Sequence, residues 1–198
     1  MTTNTDDLTK THHELRRRQI AAGEARCAIF RRSYDAPIED VWDACTDPAR
    51  LRRWYAPVEG DLRVGGTFTQ GDFGPGRIVR CEAPRLLTIE LCGGEPGGDP
   101  APDEIELRLY PGEHGTTVLE FEHATTIDTH EIGGQIFDAV YCMGGGYGPR
   151  LVTLDRHLRG ELADDVDPAA LHLRDDLRPA IEQSMAALAE LLEADKHR

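Results

Sequence analysis

The sequence predicts an α+β domain in which a strongly curved antiparallel sheet wraps around a long C-terminal helix. Three observations lead to this prediction. Signals for two short helices occur early, within residues 37–54. Short segments of alternating apolar and polar residues follow at 61–123, separated by turns, which favours a meander over parallel β-α-β units. A helical apolar stripe then starts at Pro149.

The first elements follow from local signals. Residues 27–34 alternate like a strand, and Pro37 then precedes acidic residues that suit the first turn of a helix. Asp47-Pro48 repeats the start signal, an N-cap followed by proline. These signals predict one strand and two short helices, the second of which leads to Leu51 and Trp54.

From Asp61 the apolar period becomes two, which predicts strands. Leu62 and Val64 precede Gly65-Gly66, so this strand is expected to bend at the glycines. Further strands are predicted at 77–81, 86–92, 104–110 and 116–123. Residues 125–137 are expected to form an irregular lid over whatever the sheet encloses.

The long helix is predicted from Pro149 to about Leu158. Gly144 to Gly148 are expected to give it a flexible entry and room for close approach. Residues 6–22 are predicted to form a short polar helix. We therefore divide the chain into an N-terminal helical extension (1–25), a central domain (26–160) and a C-terminal helical extension (161–198).

The C-terminal extension is predicted to contain a second long helix. Asp175 or Asp176 would cap it, with Pro179 in its first turn. Its apolar face must be buried, either on its own sheet or against a second copy, and this face predicts a homodimer. The face consists of Leu177, Ile181, Met185, Leu188 and Leu192.

Composition excludes several functions. No apolar run approaches the roughly 20 residues of a membrane-spanning helix, and no secretory signal is present, so we expect a cytoplasmic protein without membrane insertion. The formal net charge of −14 disfavours binding to nucleic acid or anionic lipid. The basic run Arg16-Arg17-Arg18 is either a solvated helix face or a contact for an anion or acidic partner.

No cofactor or metal is predicted. The five cysteines are far apart and form no CxxC pair, which disfavours a zinc site or a disulfide framework and favours buried, reduced thiols. The eight histidines show no metal-site spacing. The nucleophile elbow, P-loop and dinucleotide-binding motifs are also absent from the sequence.

An ordered series of local motifs resembles a known superfamily. Residues 35–37 (Asp-Ala-Pro), 41–44 (Val-Trp-Asp-Ala) and 46–48 (Thr-Asp-Pro) resemble the opening of SRPBCC (START-like) domains. The stretch 60–68, Gly-Asp-Leu-Arg-Val-Gly-Gly-Thr-Phe, resembles the branch of heat-shock-protein-90 ATPase activator homologues. Gly-Tyr-Gly at 146–148 is similar to a Gly-Trp-Gly turn of that branch.

The resemblance covers about Arg26 to Leu158 and implies a helix-grip fold, in which the sheet and its helix enclose a cavity. Both ends of this chain exceed the usual domain. A short gripping sheet cannot fill its own concave side, so the shape also predicts a pocket between helix and sheet.

His123 is the candidate catalytic residue. It shares a strand face with Leu119 and Phe121, which should be the concave one. There it would orient a ligand, act as a general acid or base, or be a core histidine satisfied by one hydrogen bond. The expected ligand-binding residues, several of which are equally compatible with plain core packing, are Trp54, Tyr55, Phe68, Arg77, Phe121, His123, Tyr141, Met143 and Tyr147.

Three functional hypotheses remain open at this level. The first is a carrier, sensor or sequestering protein that holds a hydrophobic small molecule in the cavity. The second is an enzyme of cyclase, dehydratase or hydrolase type that uses His123 with a tyrosine or acidic partner. The third is a chaperone-linked or regulatory protein-interaction module, as the name of the branch implies.

Overall fold

The predicted curved sheet is present in the computed structural model, which describes residues 10–71, 74–91, 103–163 and 166–197. Within these residues, eight antiparallel strands form one sheet in the order β1-β2-β8-β7-β6-β5-β4-β3. The strands are β1 His12–Ile20, β2 Gly23–Tyr34, β3 Val58–Gly60, β4 Thr67–Gln70, β5 Pro75–Glu82, β6 Leu86–Leu91, β7 Asp103–Pro111 and β8 Thr117–Thr125. The α+β helix-grip prediction is confirmed.

The two early helices form where their start signals predict. Helix α1, Ile38–Thr46, follows Pro37 and carries Glu39 and Asp40 in its first turn. Helix α2, Pro48–Trp54, is capped by the Asp47 side chain, which accepts a hydrogen bond from the Arg50 amide at 2.9 Å. Both helices bury an apolar side over one end of the sheet, which places Trp54 in the core.

The long helix starts ten residues earlier than predicted. Helix α3 spans Ala139–Leu158, and Asp138 caps it by accepting a hydrogen bond from the Val140 amide at 2.9 Å. Pro149 lies inside the helix, although proline removes a helical hydrogen bond. The prediction of a flexible entry at Gly144 to Gly148 was wrong, because these residues lie within the helix. The glycines interrupt the apolar pattern from which the helix would have been predicted.

Two of these glycines allow a second helix to approach. A Cβ atom on Gly144 would lie 2.9 Å from backbone atoms of Met185, and one on Gly148 would lie 2.7 Å from the Cβ of Ser184. Met185 and Ser184 belong to helix α4, Arg178–Asp195, which confirms the predicted C-terminal helix. Close approach is therefore the role of these glycines, as the sequence also suggested.

The apolar face of α4 packs against α3 and β1 of the same chain, and Leu177 and Leu188 are buried. The argument for a homodimer through this helix therefore loses its premise. The oligomeric state stays a prediction, which light scattering at several concentrations would test.

The predicted N-terminal helix is wrong, because residues 12–20 form strand β1 on the edge of β2. Alternation sends His13 and Leu15 towards the core, whereas Arg18 reaches across the outer face to Glu122 and Glu104 at 2.5 and 2.6 Å. These partners lie about a hundred positions away in the chain. Local sequence therefore gave no sign that the basic run forms internal ion pairs.

Two other segments differ from the prediction. Residues 61–66 form a loop rather than a strand, and Leu62 and Val64 are exposed at 36% and 60%. The predicted irregular lid contains a hairpin, β9 Thr129–Ile132 and β10 Gln135–Asp138. Its two-residue turn is Gly133-Gly134, and both glycines have positive φ, as a tight hairpin turn requires.

Candidate functional site

A cavity of about 290 Å³ lies between the concave face of the sheet and helices α1, α2 and α3. The inward residues of β4 to β8 form the sheet side of its wall, because alternation along each strand sends every second side chain to the concave face. The aliphatic and aromatic lining residues are Trp42, Leu51, Trp54, Tyr55, Val58, Leu62, Phe68, Ile78, Leu87, Ile89, Ile105, Leu107, Leu119, Phe121, Tyr147 and Leu151.

The structure brings five of the predicted ligand-binding residues together on the cavity wall. They are Trp54, Tyr55, Phe68, Phe121 and Tyr147. The ring centroids of Phe121 and Tyr147 are 4.4 Å apart, so strand β8 and helix α3 meet there through aromatic contact.

Three predicted site residues lie elsewhere. Arg77 is on the outer face of β5, where it forms an ion pair with Glu90 at 2.5 Å and stays half exposed, because Gly76 and Ile78 occupy the inner face. Tyr141 stacks on Phe137 of the hairpin. Met143 is buried in the core. None of these three side chains is among the residues that line the cavity.

The cysteines are divided between interior and surface. Cys27 and Cys45 are buried as predicted, but Cys81 is exposed and lines the cavity mouth; Cys92 lies outside the described residues. Burial raises the pKa of the Cys45 thiol to about 12. Cys45 is therefore an apolar wall element rather than a nucleophile.

His123 stands on the concave side, as predicted, and connects two polar partners, but it is not itself among the residues that line the cavity. Its Nδ1 is 2.9 Å from the Tyr147 hydroxyl, and its Nε2 faces a carboxylate oxygen of Asp103 at 3.3 Å. Asp103 also accepts a hydrogen bond from the Thr125 hydroxyl, its partner in the register of β7 and β8. Asp103, His123 and Tyr147 thus form a chain that ends at the cavity wall.

Electrostatics favours one arrangement of protons in this chain. Burial opposes the charge on Asp103, but its contacts with His123 and Thr125 outweigh burial and keep its pKa below the usual value. An ionised Asp103 favours the proton of His123 on Nε2, so that Nδ1 accepts from Tyr147. Burial raises the pKa of Tyr147 well above 10, which keeps the phenol neutral.

A second polar group lies on the cavity wall and was missed. Gln70 is 1% exposed and follows Phe68 on the inner face of β4. The Tyr55 hydroxyl donates to its Oε1 at 2.9 Å, and burial raises the pKa of Tyr55 to about 12. Arg150 lines the cavity beside them, with its guanidinium 5.8 Å from the centroid of the Tyr55 ring.

The alternation of β4 places Gln70 on the same face as Phe68, and that of β7 places Asp103 on the face of Ile105. A signal for both residues was therefore available. For Arg150 the sequence gave no such signal. The helix was predicted to begin at Pro149, so the turns that fix which side of the helix Arg150 lies on were not recognised.

A curved sheet that encloses an apolar cavity against a long helix defines a START-like (SRPBCC) domain. Residues 35–145 match the family described as Activator of Hsp90 ATPase homolog 1-like protein. The match spans more than half of the chain, and the chain belongs to this family. A search of curated proteins finds no match.

Solved structures agree with the assignment. CalU16 from Micromonospora echinospora is 36% identical, with a TM-score of 0.70, over 92% of this chain and 98% of that one. The Aha1 dimer from Colwellia psychrerythraea (18% identity, TM-score 0.54, 68% and 97% coverage) shares the fold. DynU16, from the dynemicin biosynthetic locus, shares the fold as well (20% identity, TM-score 0.52). That match covers 67% of this chain and 47% of DynU16.

Two searches of the described residues complete the description. No helix there is long and apolar enough to cross a membrane. The same residues contain no group of three or more His, Cys, Asp or Glu side chains arranged to hold a metal ion.

Proposed function

We propose that this protein binds a compact hydrophobic small molecule in the cavity between its sheet and helix α3. The observation that carries the proposal is the cavity itself. Its volume of about 290 Å³ is at the lower end for small-molecule sites, and its wall is apolar except for a few converging polar groups. Burial of an apolar guest against such a wall would supply most of the binding free energy.

The relatives give this proposal a context. DynU16 is described as a protein of a biosynthetic locus, that of dynemicin. The likeness of this chain to DynU16 is one of fold, so it supports a cavity-bearing domain and leaves the chemical nature of the guest to the residues of the wall.

Native mass spectrometry of the purified protein, together with titration of an apolar fluorescent probe such as 1-anilinonaphthalene-8-sulfonate, tests the proposal. We expect a co-purified ligand or saturable probe binding. Ile78→Trp should fill the cavity and abolish probe binding, because Ile78 points inward and is 7% exposed. The neighbouring Val79 is 41% exposed, so Val79→Trp is the matched control and should bind as the wild type does.

The proposal fails if neither a ligand nor a probe binds. It also fails if Ile78→Trp and Val79→Trp bind the probe equally well. Thermal melting of both variants would show that they are folded, so that a loss of binding reports on the cavity.

Acid–base catalysis in the same cavity is a second candidate, and the chain Asp103–His123–Tyr147 favours it. The order carboxylate, imidazole, hydroxyl resembles the arrangement that activates a serine in hydrolases. Here the terminal hydroxyl is a buried phenol with a raised pKa, so a Tyr147 phenolate is disfavoured and a role in positioning a guest is easier.

Turnover by two variants tests the catalytic candidate. His123→Ala should abolish turnover of a candidate substrate in a folded protein, and Tyr147→Phe should do so while it leaves the aromatic wall in place. Turnover that persists in both variants would remove the chain from any mechanism.

A further inference from the structure

We propose that the polar end of the cavity selects guests that carry a hydrogen-bond-accepting oxygen, such as a ketone, on an otherwise apolar body. This inference rests on the proposed function and names the class of ligand. It starts from the side-chain amide of Gln70, which is 1% exposed and lies on the cavity wall. Its Nε2 has no hydrogen-bond partner among the residues that the structure describes.

Tyr55 sets the orientation of this amide. Its hydroxyl is 2.9 Å from Gln70 Oε1, and burial raises the Tyr55 pKa to about 12, so the group is a neutral phenol that donates. The tyrosine ring is held against Trp54, with the two ring centroids 5.6 Å apart. With its oxygen occupied by Tyr55, the amide presents its N–H donors to the guest.

A buried N–H group without an acceptor is costly, and a guest that supplies an acceptor removes this cost. A guest of the same shape without an acceptor leaves the donor unpaired. Sites built to pair with a polar group discriminate strongly against an analogue that lacks it, for this reason. Gln70 is therefore a specificity determinant rather than another element of the apolar wall.

Charge at the same end of the cavity acts in the same direction. The guanidinium of Arg150 lies 5.8 Å from the centroid of the Tyr55 ring, and its Nη1 is held by the carbonyl oxygen of Gly146 at 2.6 Å. A fixed positive charge favours the negative end of a carbonyl dipole and disfavours a cationic amine. Donor and charge together define an oxygen acceptor as the matching group.

Two probes of nearly identical shape test the inference. 2-Acetylnaphthalene carries a C=O group where 2-isopropenylnaphthalene carries C=CH2. Their dissociation constants are measured for the wild type, for Gln70→Leu, which removes the amide and keeps the bulk, and for Thr69→Val. Thr69 is the exposed neighbour on the same strand and supplies the matched control.

We expect the ratio of the two dissociation constants to shift about tenfold towards the hydrocarbon in Gln70→Leu, which corresponds to one net hydrogen bond. The ketone should bind more weakly, the hydrocarbon as tightly as before or more so, and Thr69→Val should keep the wild-type ratio. Gln70→Met gives the same comparison if Gln70→Leu melts at a much lower temperature than the wild type.

An unchanged ratio in the folded Gln70 variants overturns the inference and leaves the proposed function intact, because both probes still bind. Loss of both probes in a folded variant also overturns it, since the amide would then act through cavity shape. If neither probe binds the wild type, and 1-anilinonaphthalene-8-sulfonate does not bind either, the proposed function fails and the inference fails with it.

Discussion

Two glycines on helix α3 allow a direct test of how the two long helices pack. Gly146 and Gly148 are one half-turn apart, and the structure gives them opposite surroundings. A Cβ on Gly146 would meet nothing within 4 Å, whereas one on Gly148 would lie 2.7 Å from the Cβ of Ser184 and 2.8 Å from the carbonyl oxygen of Ala180. The same substitution should therefore have opposite effects at the two positions.

Gly146→Ala should stabilise the protein by about 1 kcal/mol, the difference in helix propensity between the two residues. Gly148→Ala gains the same term, but it must push α4 away, and overpacking of this kind costs about 1–3 kcal/mol, with more where backbone is struck. We expect a net destabilisation of about 1–2 kcal/mol, and so a difference of about 2–3 kcal/mol between the two variants.

Urea denaturation followed by circular dichroism measures both variants against the wild type. If Gly148→Ala is as stable as Gly146→Ala, helix α4 does not pack on α3 at the distance described. The reasoning that assigns these glycines to close helix contact would then be refuted.

Two further predictions concern buried ionisable side chains. Asp155→Asn should lower the free energy of unfolding by about 3 kcal/mol, because Arg32, 1% exposed and 3.0 Å from this carboxylate, loses its charged partner. The double variant Arg32→Met/Asp155→Leu should recover most of that stability in urea denaturation. A double variant that loses as much stability as the two single substitutions added together would contradict the pairing. Burial, and then the neighbouring His12, lower the pKa of His13 to about 4 from 6.5. In the unfolded chain His13 takes up a proton below about pH 6.5, whereas in the folded protein it does so only below about pH 4. The free energy of unfolding should therefore decrease by about 1–2 kcal/mol as the pH falls across this window, because solvent partly screens this half-buried side chain. Melting temperatures from pH 7 to pH 4 should decrease less steeply for His13→Gln than for the wild type; parallel curves would exclude His13 as the cause.

The sequence predicted the elements whose signals are local. The cap at Asp47 and the alternation in Ile105, Leu107 and Leu109 report directly on backbone geometry, so α2 and β7 were placed within a residue or two. The alternation also put His123 on the concave face. Burial on one face of a strand leaves a period of two that a single segment displays.

The elements that were mispredicted depend on distant partners. Strand β1 is stabilised by the packing of Leu15 on the core and by the ion pairs of Arg18 with Glu104 and Glu122 across the sheet. Helix α3 contains a glycine at position 144 because the backbone of α4, some forty residues later in the chain, occupies the space that a side chain would fill. Neither requirement is visible in a short window of sequence.

The candidate site follows the same division. The inward-facing wall residue Phe121 was found by alternation, whereas the direction of the Arg77 side chain was left open by the sequence. Its strand bulges between Ile78 and Arg80, but Ile78 faces inward and its neighbour Arg77 therefore faces out. The hydrogen bonds Tyr55–Gln70, Tyr147–His123 and Thr125–Asp103 join residues of different elements, and no spacing in the chain predicts them.

Whether the cavity reacts with its guest or only holds it depends on how its polar groups are arranged. The Tyr147 hydroxyl is engaged by His123, and burial raises the pKa of this phenol, so removing its proton is costly within an apolar wall. The Gln70 amide has no acid–base chemistry, yet it lies on the cavity wall, and its Nε2 has no hydrogen-bond partner among the described residues. Acid–base catalysis requires a group that exchanges protons with the bound molecule. Selective binding requires only a hydrogen-bond donor that is unpaired until the ligand supplies an acceptor. The Gln70 donor suits the second requirement, and for this reason we propose binding ahead of catalysis.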